Sequence, residues 1–131
     1  HILFGTELAA ADELVIEKLL SLAVRLKAKV SLGHVSHPVL IPDFAEEMQV
    51  SAFIGNIAKL QPGIGWYIER NRNVMEALEK ISTEKNADII ALRYQNHSAW
   101  YRLFNENPLK EAIYRGKAPL LIFPENPHHH D

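Results

Sequence analysis

The chain contains no cysteine, which excludes disulfides, thiolate metal sites and cysteine nucleophiles, and fits a reducing, cytoplasmic setting. It has no apolar run near the ~20 residues that a membrane-spanning helix needs. The most apolar stretch, residues 19–26, is broken by Ser21 and Arg25. No block of like charge occurs: 14 Lys and Arg stand against 16 Asp and Glu, a formal charge of -2. Bulk electrostatics therefore point to neither nucleic acid nor an anionic membrane surface as partner. Also missing are a Gly-x-Ser-x-Gly elbow, a P-loop, a zinc-binding helix motif and a dinucleotide fingerprint, so the expectation is a protein that is not an enzyme. No internal repeat, linker or low-complexity segment is present.

What remains is an ordinary globular composition, 47% hydrophobic and 23% charged over 131 residues, enough for one domain with one core. Residues 1–124 are expected to form that domain. His128, His129, His130 and Asp131 read as the remnant of a purification tag. The chain opens directly on Ile2-Leu3-Phe4 without a signal sequence, and His1 in place of Met suggests an excerpt of a longer protein.

The hydrophobic period switches repeatedly between that of a strand and that of a helix. Residues 2–5 are a short apolar run ending at Gly5. In residues 9–29, Val15, Leu19, Leu22 and Leu26 form a helical stripe that Ile16, Leu20 and Ala23 widen. Residues 30–35 read as a second strand. Asp43 caps a helix to about residue 61, with Phe44, Met48, Phe53, Ile57 and Leu60 inward and Glu46-Glu47 on the solvent face. Residues 64–69 alternate as a strand, with Trp66 and Tyr67 packing between sheet and helix. Asn71 or Asn73 caps a third helix through Val74, Leu78 and Ile81, which ends at Asn86. Residues 87–92 are a buried strand, with Asp88 a partner for the end of that helix. A polar and aromatic loop comes next, then a fourth helix with Asn107 as cap, Pro108 in first position and Gly116 as stop. Residues 119–123 close the series. Strands joined through helices need crossover connections, which gives an α/β three-layer sandwich with a mainly parallel five-stranded sheet. Ligands of such sheets bind beyond the carboxyl ends of the strands where the strand order reverses, here between the loops at residues 5–9 and 93–107.

Several stretches resemble the universal stress protein family. Ile2-Leu3-Phe4-Gly5-Thr6-Glu7 is similar to its opening strand, which ends in Thr-Asp. Ala23-Val24-Arg25-Leu26-Lys27-Ala28 followed by Val30-Ser31-Leu32-Gly33-His34-Val35 resembles its helix ending Ala-x-x-Leu-x-Ala and its strand ending His-Val. Asn86-Ala87-Asp88-Ile89-Ile90-Ala91-Leu92 and Ala118-Pro119-Leu120-Leu121-Ile122-Phe123-Pro124 resemble its last two strands. The resemblance implies a flavodoxin-like sheet in the order 3-2-1-4-5, related to that of the adenine nucleotide alpha hydrolases, and a homodimer made through the last strand. Leu120, Leu121, Ile122 and Phe123 independently read as an apolar edge strand of the sort that pairs with another chain.

Many members of that family hold ATP on a Gly-x-x-Gly run and a later Gly-Ser or Gly-Thr after the fourth strand. Glycines let backbone N–H groups reach phosphate oxygens. Aligned on Ala91-Leu92, those positions are Arg93, Asn96 and Glu106, with Asn107 in place of the Ser or Thr. The expectation is a degenerate phosphate loop and no bound cofactor. Thr6, Glu7, His34 and Val35 match the adenine and ribose side of the site and leave open a residual pocket, with AMP or ATP as alternative ligands on a rebuilt loop. The loop's Arg93, Tyr94, His97, Trp100, Tyr101, Arg102 and Phe104 can fill the vacated cleft, form a protein-binding hot spot or stack on bases. His34 and His37 have ligand-like spacing, but Pro38 breaks the strand end, and no metal is expected. The leading expectation is a regulatory or interaction domain of the stress response. A domain taken from a tandem stress protein or a transporter is a further alternative.

Overall fold

The computed structural model describes residues 1–36, 43–93 and 119–123, and of residues 43–45 the backbone alone. The expected fourth helix (Asn107 to Gly116), the loop residues Tyr94 to Phe104, Asn96, Glu106, His37 and the tail lie outside the described residues. The elements run β1 (Ile2–Gly5), α1 (Ala10–Leu26), β2 (Val30–Ser36), α2 (Asp43–Leu60), β3 (Gly65–Arg70), α3 (Val74–Glu84), β4 (Ile89–Arg93) and β5 (Leu120–Phe123). The five strands form one parallel sheet in the order β3-β2-β1-β4-β5, as the resemblance implied. β1 is central, with Gly5 level with Gly33 of β2 and Leu92 of β4. Buried on both faces, it reads in sequence as an unbroken apolar run rather than an alternation.

Alternate strand residues feed two cores. Ile2, Phe4, Val30, Leu32 and Ala91 pack beneath Ile16, Leu19 and Ala23 of α1 and Phe53 and Ile57 of α2. Leu3, Val35, Ile90 and Leu92 pack beneath Val74, Met75, Ala77, Leu78 and Ile81 of α3. α3 lies close over Gly33, where a methyl group would stand 3.3 Å from Leu3 Cδ1 and 3.5 Å from Leu78 Cδ2. Asn73, rather than Asn71, caps α3 by accepting from the Glu76 amide at 3.0 Å. Asn71 Oδ1 accepts from the Asn73 amide and holds the cap residue in place. Lys27 ends α1 in the left-handed conformation.

Three expectations are corrected. The buried line of α1 runs through Asp12, Ile16, Leu19 and Ala23, not through the Val15-Leu19-Leu22-Leu26 stripe, and Leu22 and Leu26 are exposed. In α2, Met48 and Leu60 face out while Glu46 is buried. Asp88 lies outside β4, exposed, and its carboxylate takes the His1 amino group at 2.8 Å instead of serving the end of α3. Trp66 does pack between sheet and helix, its ring centroid 6.2 Å from that of Phe53. Tyr67 lies against the α3 core, with the Lys85 ammonium over its ring.

Candidate functional site at the carboxyl end of the sheet

Thr6, His34, Ser36 and Arg93 continue the alternation that aims Phe4, Leu32 and Ala91 at α1 and α2. They form a polar row along the carboxyl edge of the sheet, above the apolar core of that face. Each helix of the face sends one carboxylate from its first turns into this row. Asp12 of α1 accepts from the Thr6 hydroxyl at 2.7 Å and from the Glu7 amide at 3.0 Å. Glu46 of α2 accepts from the Ser36 hydroxyl. A carboxylate at this point of a helix offsets the partial positive charge of the exposed amides.

Arg93 closes the row at the β1–β4 switch point. Its Nε donates to Asp12 Oδ1 at 2.6 Å and its Nη2 to Glu7 Oε1 at 3.1 Å. The Arg93 side chain is 7% exposed and that of Asp12 1%, so the cluster is a buried one. One guanidinium serves two carboxylates, and the planar fork of Arg meets them with separate N–H groups. Asp12, Glu7 and Arg93 stand together at the amino end of α1.

The connecting loop is held by the same residues. Leu8 lies at φ 66°, a left-handed conformation that costs an L-residue about 1–2 kcal/mol. Its amide donates to Thr6 Oγ1 at 3.1 Å and its side chain packs on the α1–α2 core, which offsets the strain. On the neighbouring strand, His34 is buried with Nδ1 2.8 Å from the Thr6 carbonyl. A carbonyl only accepts, so Nδ1 carries hydrogen. Burial lowers the His34 pKa below 6.5, against the opposing effects of that hydrogen bond and of the Glu46 and Asp12 carboxylates. The imidazole is neutral at pH 7.

The sequence candidates thus divide. Thr6, Glu7, His34 and Arg93 meet at one end of the sheet. Val35 points to the opposite face, into the α3 core. Asn96, Glu106 and Asn107 lie outside the described residues. Asp12 and Glu46 were not singled out as site residues. Asp12 stands with Glu13 in the first turn of α1, where the helix dipole alone accounts for an acidic residue, and Glu46 sits beside Glu47 in a pair that resembles a solvated face. The signal for Asp12 was available in Thr6, a hydroxyl at a strand end just before a helix whose first turn is acidic. Among the described residues no group of three or more His, Asp or Glu is arranged to hold a metal, and no helix is long and apolar enough to cross a membrane.

No protein-family model and no curated protein matches the sequence. Solved structures share its fold, among them two universal stress proteins. A protein from the universal stress protein family of Burkholderia pseudomallei superposes with a TM-score of 0.64 at 14% identity, over 95% of this chain and 96% of that one. A universal stress protein in complex with cAMP superposes with a TM-score of 0.63 at 14% identity, over 92% and 93%. The chain has the universal stress protein fold.

Proposed function

We propose that a domain of this fold serves here as a regulatory, protein-binding module of the stress response, with its nucleotide crevice converted into an internal ion cluster, and that it works as a homodimer joined along β5. The observation that carries this reading is Arg93 seated on Asp12 and Glu7. A polyphosphate needs open backbone amides and uncommitted positive charge. At this switch point the helix end already holds its own carboxylate, and the guanidinium is committed to two acids. The replacement of all three family glycines by Arg93, Asn96 and Glu106 supports the same reading. Homodimerisation rests on β5 standing at the end of the sheet among the described residues, with Ile122 39% exposed.

A second reading is favoured by one relative in fold that is described in complex with cAMP. A cyclic monophosphate needs no triphosphate loop, and Thr6, Glu7 and His34 would then border an adenine nucleotide site. Thermal unfolding of the full chain with millimolar ATP, ADP, AMP and cAMP, each with magnesium, separates the two. A ligand present at about 100 times its Kd stabilises by about 2.7 kcal/mol, which raises the Tm by several degrees. No shift with any of the four is the expected result. A saturable shift with one of them overturns the closed-crevice reading in favour of the second.

A further inference from the structure

Alternate residues of β3 face α2. Trp66, Ile68 and Arg70 lie on that side, while Tyr67 packs against the α3 core and Glu69 accepts from Lys80 of α3 at 3.0 Å. Toward the start of the strand, Trp66 meets Phe53 of α2 and the two rings fill the space between strand and helix. About one turn nearer the amino end of α2 stands Val50, and there strand and helix part. They enclose a cleft of about 460 Å³ lined by Glu46, Glu47, Val50, Ser51, Ile68 and Arg70, a size within the ~300–1,000 Å³ of small-ligand sites. Ile68 is 47% exposed although it faces a helix, since Val50 and Ser51 opposite it are short.

The lining divides by chemistry along the length of the cleft. At the outer end Glu46 is 6% exposed, and its hydrogen-bond partner among the described residues is the Ser36 hydroxyl, a neutral donor. A buried carboxylate gains most from a cation at hydrogen-bond distance, and the cleft is the side from which one can reach it. The strand register sets Arg70 level with Ser36, so guanidinium and carboxylate flank the same end. A guanidinium has five donors and can serve more than one acceptor, as Arg93 does at the switch point. Val50 lies one turn from Glu46 and Ile68 two residues from Arg70, both toward the Trp66–Phe53 contact. The cleft is therefore charged with both signs at its mouth and apolar at its inner end.

We infer that this cleft binds a small zwitterion with an aliphatic side chain, of the α-amino acid class. Its ammonium group meets Glu46, its carboxylate meets Arg70, and its side chain lies against Val50 and Ile68. The site is separated from the β1–β4 crevice by β2 and does not rest on the function proposed above.

The test is isothermal titration calorimetry of the full chain with leucine and three probes that each lack one of its features. Isoamylamine lacks the carboxylate, isocaproate the ammonium group and glycine the side chain. Leucine is expected to bind saturably, about tenfold or more tightly than each of the three, a difference of about 1.4 kcal/mol. Glu46→Gln keeps an oxygen for the Ser36 hydroxyl and should hold the fold by circular dichroism while weakening leucine about tenfold or more. Arg70→Gln should bring leucine down to the level of isoamylamine. Absence of saturable leucine binding overturns the inference, as do equal affinities for all four compounds or leucine binding indifferent to Glu46→Gln. The four compounds on the unaltered chain decide the matter even where a variant fails to fold.

Discussion

Arg93 Nε lies 2.6 Å from Asp12 Oδ1, and the two residues are separated by 81 positions in the chain. This contact ties the end of β4 to the first turn of α1 across the point where the strand order reverses. Its energetics are those of a buried pair: each charge is expensive to leave alone, while the pair as a whole is of modest net worth.

Removing one partner should therefore cost more than removing the cluster. Arg93→Met, which takes the guanidinium away from the buried Asp12 and Glu7 carboxylates, is expected to lose about 3–5 kcal/mol in urea or guanidinium unfolding. Adding Asp12→Asn and Glu7→Gln in the same chain should recover much of that loss. Additive losses across the series would show that the cluster is not coupled.

His34 makes stability depend on pH. Its folded-state pKa lies below the 6.5 of the unfolded chain because burial disfavours the charged ring. As pH falls through 6.5, the unfolded chain takes up the proton first, so stability is full above that pH and declines until the folded-state pKa is passed. The slope from this group approaches about 1.4 kcal/mol per pH unit. In His34→Asn, whose amide can still donate to the Thr6 carbonyl, the loss between pH 6.5 and 5 should shrink. An unchanged pH profile would remove His34 as its source.

Ser36→Ala reports on the burial of Glu46. Without the Ser36 hydroxyl a buried carboxylate loses a donor, with an expected cost of about 1–3 kcal/mol. Were Glu46 on the solvent face, the change would fall within about 0.5 kcal/mol. Chemical denaturation of the single variant distinguishes the two.

Asn73→Ala should cost about 1 kcal/mol through loss of the bond to the Glu76 amide. Asn71→Ala should cost less, because Asn71 orders the cap residue and caps no helix amide itself. Equal losses in thermal unfolding would contradict this division of roles.

Ile122→Lys places a charge on the exposed outer residue of β5. Monomeric elution in sizing chromatography, against a dimer for the parent chain, is the expected result. An unchanged dimer would exclude β5 as the joining edge.

The succession of strands and helices was legible in the sequence because their periods are local. Val74, Leu78 and Ile81 recur at helical spacing, Asn73 stands one residue ahead of that stripe, where a cap belongs, and the unbroken Ile2-Leu3-Phe4 run marks a strand buried on both faces. Strand order came from the family likeness rather than from periodicity, and the sheet has that order. The ends of the site were also legible, since any ligand of such a sheet meets the carboxyl ends of β1 and β4, where Thr6, Glu7 and Arg93 stand.

Hydrophobic period determined that this chain would build a mainly parallel α/β sheet with its crevice between the loops at residues 5–9 and 93–107, and the family likeness supplied Thr6, Glu7 and His34. Tertiary packing decided which arc of α1 is buried, that Glu46 turns inward while Glu47 does not, and that Arg93 spends its charge on Asp12 and Glu7. The physical reason is that a helix's period specifies an apolar arc but not how much of it the neighbouring sheet can cover. A charged side chain takes its partner from whatever the folded chain brings within about 3 Å, at any distance along the sequence.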